Sequence, residues 1–244
     1  MKRRDDHSLV PSSLTRGASQ STALALVDNG RLVPARDPEA RTADGYLRLT
    51  AHLLLESERH GFRTVGVFSA LSGEGKTTAA INLAASLGRT RGREGRVLLV
   101  DGDTRGRMLT RLLCGEEAAQ NPTAVLAATS FEGVDLLTAP APRGGPTIHA
   151  PSAWVEMLHE LSKRYPQVVI DCPAVLADPE GVVLRECVEA LVLVVEVGHT
   201  TRKAVERAVG TVGRRVVGVI LNGVTPKGSD ETRTTTTAER KASS

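Results

Sequence analysis

The sequence predicts an α/β domain with a doubly wound, mostly parallel sheet. Three observations carry this. Short apolar runs alternate with helix-length stretches, as in successive βαβ units. Several of those runs are apolar almost without interruption, as strands buried on both faces are. A glycine-rich segment, SALSGEGKTT at residues 69–78, stands between one predicted strand and one predicted helix.

The elements follow in order. Residues 1–40 mix charge, Ser, Pro and Gly without a period and are expected to be a disordered arm. A weakly amphipathic helix over 43–60 has Tyr46, Leu49, Leu53 and Leu54 on one side, and Gly61 ends it. Strands are expected at 64–69 (TVGVFS), 96–100 (RVLLV), 134–138, 168–170 (VVI), 190–197 (ALVLVVEV) and 216–221 (VVGVIL). Helices are expected at 76–87, 153–164 and 201–212. These make one domain over 41–225. Residues 226–244 are Thr-rich and lack an apolar anchor, so a disordered tail is expected there.

Composition narrows the function classes. The chain has 244 residues, enough for one sizeable domain plus tails. One Trp, two Tyr and three Phe leave the core to Val, Leu, Ile and Ala. The net charge of +3 is small, and the arginines at 89, 91, 93, 96, 214 and 215 lack interleaved aromatics. They read as solvated surface, and no nucleic acid partner is expected. Cys114, Cys172 and Cys187 have no metal-like spacing, which points to a reducing cytoplasm. The basic start has no apolar stretch behind it, and no run reaches the ~18–20 apolar residues of a spanning helix. A membrane role would therefore run through a partner.

The segment 69–78 has the chemistry of a phosphate cradle. Ser72, Gly73, Glu74, Gly75, Lys76, Thr77 and Thr78 form a turn entering a helix. Gly73 and Gly75 let backbone amides approach phosphate oxygens, and the helix adds the positive end of its dipole. Lys76 offers a cation to the β- and γ-phosphates of ATP, and Thr77 a hydroxyl to Mg2+. The usual P-loop pattern has Gly where this chain has Ala70. Asp101 and Asp103 follow one apolar strand as DGDTR, and Asp171 follows another as DCP. Carboxylates at the carboxyl ends of parallel strands lie where open α/β sheets bind ligands. Such groups hold metal and water or orient an attacking hydroxyl in phosphoryl transfer. Each could instead cap the helix that follows it.

SGEGKTT, LLVDGDTR and VVIDCP together resemble the Walker A, A′ and B motifs of the bacterial tyrosine kinases, P-loop NTPases of capsule and exopolysaccharide assembly. The resemblance runs over about residues 43–224 and includes the final strand with its GVILNGV ending. It implies that Lys76 and Thr77 bind phosphate and magnesium, and that Asp101 and Asp103 serve metal binding and acceptor orientation. Asp171 would hold magnesium, and Asn222 would contact the adenine. It also implies homo-oligomers and a membrane-embedded polysaccharide co-polymerase as activating partner, so that the chain works at the inner face of the cell membrane.

Two features depart from that family. Its tyrosine-rich tail is absent here, where the only tyrosines are Tyr46 and Tyr165. Its early assembly motif, Glu-x-x-Arg-x-x-Arg, is matched by DGYLRLT, with Asp44, Leu47 and Thr50 at the three key positions. Arg48 lies one position, about 100°, round the helix. A partition-type ATPase is one alternative, but its signature lysine is replaced by Leu71. A nucleotide-responsive scaffold without phosphotransfer is another.

Overall fold

The structure is a computed structural model that describes residues 41–92, 95–121, 123–140 and 150–223. The arm over 1–40 and the tail over 226–244 lie outside the described residues. The described residues begin with α1 (Arg41–His60), then β1 (Thr64–Ser69), α2 (Lys76–Arg91) and β2 (Val97–Asp101). They continue through α3 (Met108–Ala119), β3 (Leu126–Ala128), β4 (Val134–Leu137), α4 (Pro151–Ser162) and β5 (Gln167–Asp171). The described residues end with α5 (Pro179–Cys187), β6 (Ala190–Glu196), α6 (Arg202–Val212) and β7 (Val216–Asn222).

The seven strands form one sheet in the order β3-β4-β2-β5-β1-β6-β7. Every pairing is parallel except β3 with β4. Strands β1, β2, β4 and β5 are buried along their whole length, which is why their sequences read as continuous apolar runs rather than as alternations. One face packs Val65, Val67, Leu99 and Val169 against α1, α2 and α3. The other packs Phe68, Leu98, Ile170 and Leu193 against α4, α5 and α6, with Trp154 fully buried.

Helix α2 is the central one. It is buried from Ala79 to Gly88, and α1 lies over it. Small residues (Ala79, Ala80, Ala84, Ala85) let it approach the sheet closely on one side and α1 on the other. A buried hydrogen bond from Thr50 Oγ1 to Ser86 Oγ, 2.9 Å, pins the two helices. Thr50 is thus an inward packing residue, in a space that a charged arginine could occupy only with a new partner.

Three elements were not read in the sequence. Helix α5 carries the plainest overlooked signal: Asp178 is its N-cap, accepting from the Glu180 N–H at 2.8 Å, and Pro179 sits in its first turn. Helix α3 has at its N-cap Arg107, a non-glycine residue with φ of 48° whose side chain makes no cap hydrogen bond, so no ordinary cap announces it. Strand β3 is three residues, LAA, held only by antiparallel pairing to β4.

Candidate functional site

Sheet order brings the sequence motifs together. Strands β2, β5 and β1 are consecutive neighbours, so their carboxyl ends stand side by side. Asp101 and Asp171 are partners in the parallel register of β2 and β5, and Asp171 also pairs with Val67 on β1. The loop after β1 is the glycine-rich segment, and α2 begins at Lys76.

That loop has the shape its glycines were expected to allow. Gly73 and Gly75 have φ of 87° and 86°, a left-handed conformation that strains any side-chain-bearing residue. At Gly75 a Cβ would also come 2.3 Å from Asn222 Nδ2. Ser72 and Gly73 form the open crest of the loop, while Gly75, Lys76, Thr77 and Thr78 are half-buried. Asn222, at the end of β7, donates from Nδ2 to the Glu74 carbonyl at 3.1 Å, which joins the last strand to the phosphate loop. The Glu74 side chain turns inward and is fully buried. Its Oε2 accepts from the Leu71 N–H at 2.8 Å, and its Oε1 accepts from the Thr200 hydroxyl.

The two strand-end carboxylates have different surroundings. Asp101 Oδ2 accepts from the Thr110 N–H at 2.8 Å and from the Thr110 hydroxyl at 2.5 Å, and its Oδ1 accepts from the Asp103 N–H at 3.3 Å. Burial still pushes its pKa up to about 7. Asp171 is buried as deeply, and burial together with the negative charge of Asp101 pushes it up to about 8. Thr77, through a side-chain hydrogen bond, and the Lys76 cation pull in the opposite direction. Asp171 Oδ1 is buried and has no hydrogen-bond partner.

That orphaned oxygen is the test of whether a metal fits. A buried carboxylate oxygen beside a threonine hydroxyl and a lysine is the donor set for a hard cation such as Mg2+. Among the described residues, no cluster of three or more His, Cys, Asp or Glu forms a protein-only metal cage. Mg2+ needs none, because it keeps waters and takes phosphate oxygens as ligands. Thr77 and Asp171 would hold it beside Asp101, where it would neutralise charge on the phosphate chain.

Asp103 shapes the loop after β2. Its Oδ1 accepts from the Gly106 N–H at 2.6 Å, and its carbonyl accepts from the Arg107 N–H at 2.7 Å. Arg105 pairs with Asp178 at 3.5 Å, tying this loop to the N-terminus of α5. Beneath it, Thr104 donates to Glu180 at 2.7 Å, both residues buried. Thr110, Thr200, Asp178 and Glu180 support the site without belonging to any of the motifs. Only Asp178 and Glu180, in the Asp-Pro-Glu start of a helix, had a readable signal.

Comparison with known proteins agrees with this geometry. The chain is 25% identical over 205 residues to the tyrosine-protein kinase YwqD of Bacillus subtilis, covering 79% of this chain and 85% of that protein. The kinase domain of the Escherichia coli tyrosine kinase ETK superposes with a TM-score of 0.69 at 21% identity, covering 83% of each chain. The septum site-determining protein MinD of Pyrococcus horikoshii, complexed with Mg-ADP, superposes at 0.52 with 26% identity, over 65% of this chain and 69% of that one. Residues 65–241 match the CobQ/CobB/MinD/ParA nucleotide binding domain. With its P-loop, paired strand-end aspartates and parallel sheet, the chain belongs to that nucleotide-binding family.

Proposed function

We propose that this chain binds ATP with Mg2+, hydrolyses it, and works as a bacterial tyrosine-kinase-like regulator of exopolysaccharide or capsule synthesis or export. One observation carries the reading: Asp101 and Asp171 lie in register on neighbouring strands beside Lys76 and Thr77. That arrangement supplies a cation for phosphate, a hydroxyl and carboxylate for magnesium, and a second carboxylate to orient an acceptor hydroxyl. In this reading Ser72, Gly73, Gly75 and Thr78 line the phosphates, and Asn222 sits on the adenine side. Asp103 holds the loop beside which the acceptor hydroxyl would be oriented.

The phosphoacceptor is a tyrosine of another protein. Both tyrosines of this chain are engaged: the Tyr46 hydroxyl bonds to Asn82, and the Tyr165 hydroxyl donates to Asp135 at 3.1 Å. The activating partner is a membrane polysaccharide co-polymerase, which would hold the chain at the inner membrane face as a homo-oligomer. No helix among the described residues is long and apolar enough to cross a membrane. Leu71 is partly buried and packs against the core, which disfavours a partition-type role built on a signature lysine there.

The test is incubation of purified protein with γ-labelled ATP and Mg2+, with and without the cytoplasmic segment of a candidate co-polymerase, followed by phosphoamino-acid analysis. Phosphate release together with label on tyrosine of an added protein is expected. ATP bound with neither release nor transfer would assign the chain as a nucleotide-responsive scaffold instead.

A further inference from the structure

We infer that Glu74 and Thr200 form a latch that sets the phosphate loop before nucleotide arrives, making both of them positioning residues for the bound ATP. The inference rests on the ATP reading above and names residues that it leaves without a role.

A carboxylate at the heart of a phosphate-binding loop needs a reason, because it adds negative charge where negative ligands bind. Burial also demands compensation for each of its oxygens. Glu74 is fully buried, and each oxygen has a donor: Leu71 N–H at 2.8 Å on one, the Thr200 hydroxyl on the other. The first bond closes the loop on itself across three residues, between the strand end and Gly75. The second reaches 126 residues along the chain, to the turn after β6.

Thr200 is itself anchored. Its Oγ1 accepts from the Glu196 N–H at 3.1 Å. Glu196 is the register partner of Asn222 on β7, and Val197 N–H donates to the Asn222 carbonyl at 2.9 Å. Asn222 then returns to the loop through its 3.1 Å bond to the Glu74 carbonyl. Glu74 is thus gripped twice, by side chain and by main chain, from the ends of two neighbouring strands. The circuit Glu74–Thr200–Glu196–Asn222–Glu74 is closed. It holds the residue between two left-handed glycines, so it fixes the direction of the amides at Gly73, Glu74 and Gly75. Preset donors lose less entropy when the phosphates bind.

Thr200→Val removes the hydroxyl at constant volume, and Thr200→Ser keeps it. In nucleotide-free protein, amide exchange of the peptide over 69–77 should speed up in Thr200→Val and not in Thr200→Ser. By calorimetry in Mg2+ buffer, Thr200→Val should bind ATP about tenfold more weakly, the scale of one hydrogen bond to a charged group. Thr200→Ser should stay within about twofold, and Glu74→Ala combined with Thr200→Val should be no weaker than Glu74→Ala alone. Thr200→Ala serves as second variant if Thr200→Val does not melt cooperatively. Wild-type exchange and wild-type affinity in Thr200→Val would overturn the latch, as would a lower melting temperature with unchanged ATP affinity. If the wild type itself fails to bind ATP, the nucleotide reading falls. The exchange difference, if still present, then leaves a loop latch with no bearing on ATP.

Discussion

The two ends of the sheet are built on opposite rules. At the amino end, charge is paired. Arg96 grips Asp135 through two bonds of 2.9 and 2.7 Å, and Tyr165 adds a third donor. Glu189 accepts from the Arg63 and Thr64 amides and from the Thr64 hydroxyl. A groove of about 490 Å3 there is lined by Arg63, Arg91, Lys163 and Arg164, yet α1, α2 and α4 all end at it. Bases at helix carboxyl termini complement the dipoles and imply no ligand. At the carboxyl end, two carboxylates are buried against each other and one oxygen has no partner. The amino-end groove is thus a structural feature, and the functional end is marked by groups left electrostatically unsatisfied.

The comparison predicts that substitutions at the carboxyl end change activity, while those at the amino end change stability. The largest effect is expected from Asp171→Asn: phosphate release should fall by at least ~10²-fold, with ATP still bound, because the lost charge acts chiefly in the transition state. Asp101→Asn should behave alike in the same phosphate-release assay. Unchanged turnover in both would break the contrast. Lys76→Met should weaken ATP·Mg2+ binding by roughly 10–10²-fold, the scale of a charge-assisted contact. Calorimetry giving wild-type affinity would remove the phosphate site from this loop.

The third prediction concerns pH. Asp171 and Asp101 titrate at about 8 and about 7 when folded, far above the ~3.9 of an unfolded Asp. The folded state therefore binds these protons more tightly. The stability they contribute is fully present below pH ~4 and is lost as pH rises through about 7 and 8. Nucleotide-free wild type should lose melting temperature across that window. Asp171→Asn should lose less, by about 2–4 °C for each ~1 kcal/mol removed. Parallel curves for the two proteins would show that Asp171 is not buried as a strained acid.

At the amino end, Arg96→Ala should lower stability by about 1–2 kcal/mol with turnover unchanged. Arg96 is partly exposed, so solvent softens the loss of the pair, while Asp135 is left buried with the Tyr165 hydroxyl still donating to it. Denaturant titration measures the first quantity and phosphate release the second. The smallest effect, about 1 kcal/mol, is expected for Asp178→Ala, an exception at the carboxyl end because its side chain caps α5 and pairs with Arg105 rather than meeting the phosphates. A tenfold loss of activity in that variant would move the α5 terminus into the functional region.

Much of this was legible in the sequence. Among the described residues, six of the seven strands and four of the six helices carry their own signals, since parallel strands buried on both faces advertise themselves as apolar runs. The glycine–lysine–threonine loop and the three aspartates were each visible because their chemistry is local: a turn needing left-handed residues, and acids just past apolar strands. The arginine series was legible only as charge. Arg96 turned out to be a structural partner of a residue 39 positions away, which no local pattern announces.

By itself, the sequence determined the class of fold, the phosphate loop and the identity of the acids, because periodicity and turn chemistry act between residues close in the chain. The tertiary structure alone decided that β5 inserts between β2 and β1, and so that Asp101 and Asp171 meet in register. It also decided that Glu74 points inward to Thr200 and that Thr110 holds Asp101. Each of these is a contact across 9 to 126 residues, fixed by which strands share hydrogen bonds and by which polar groups burial forces to find a partner.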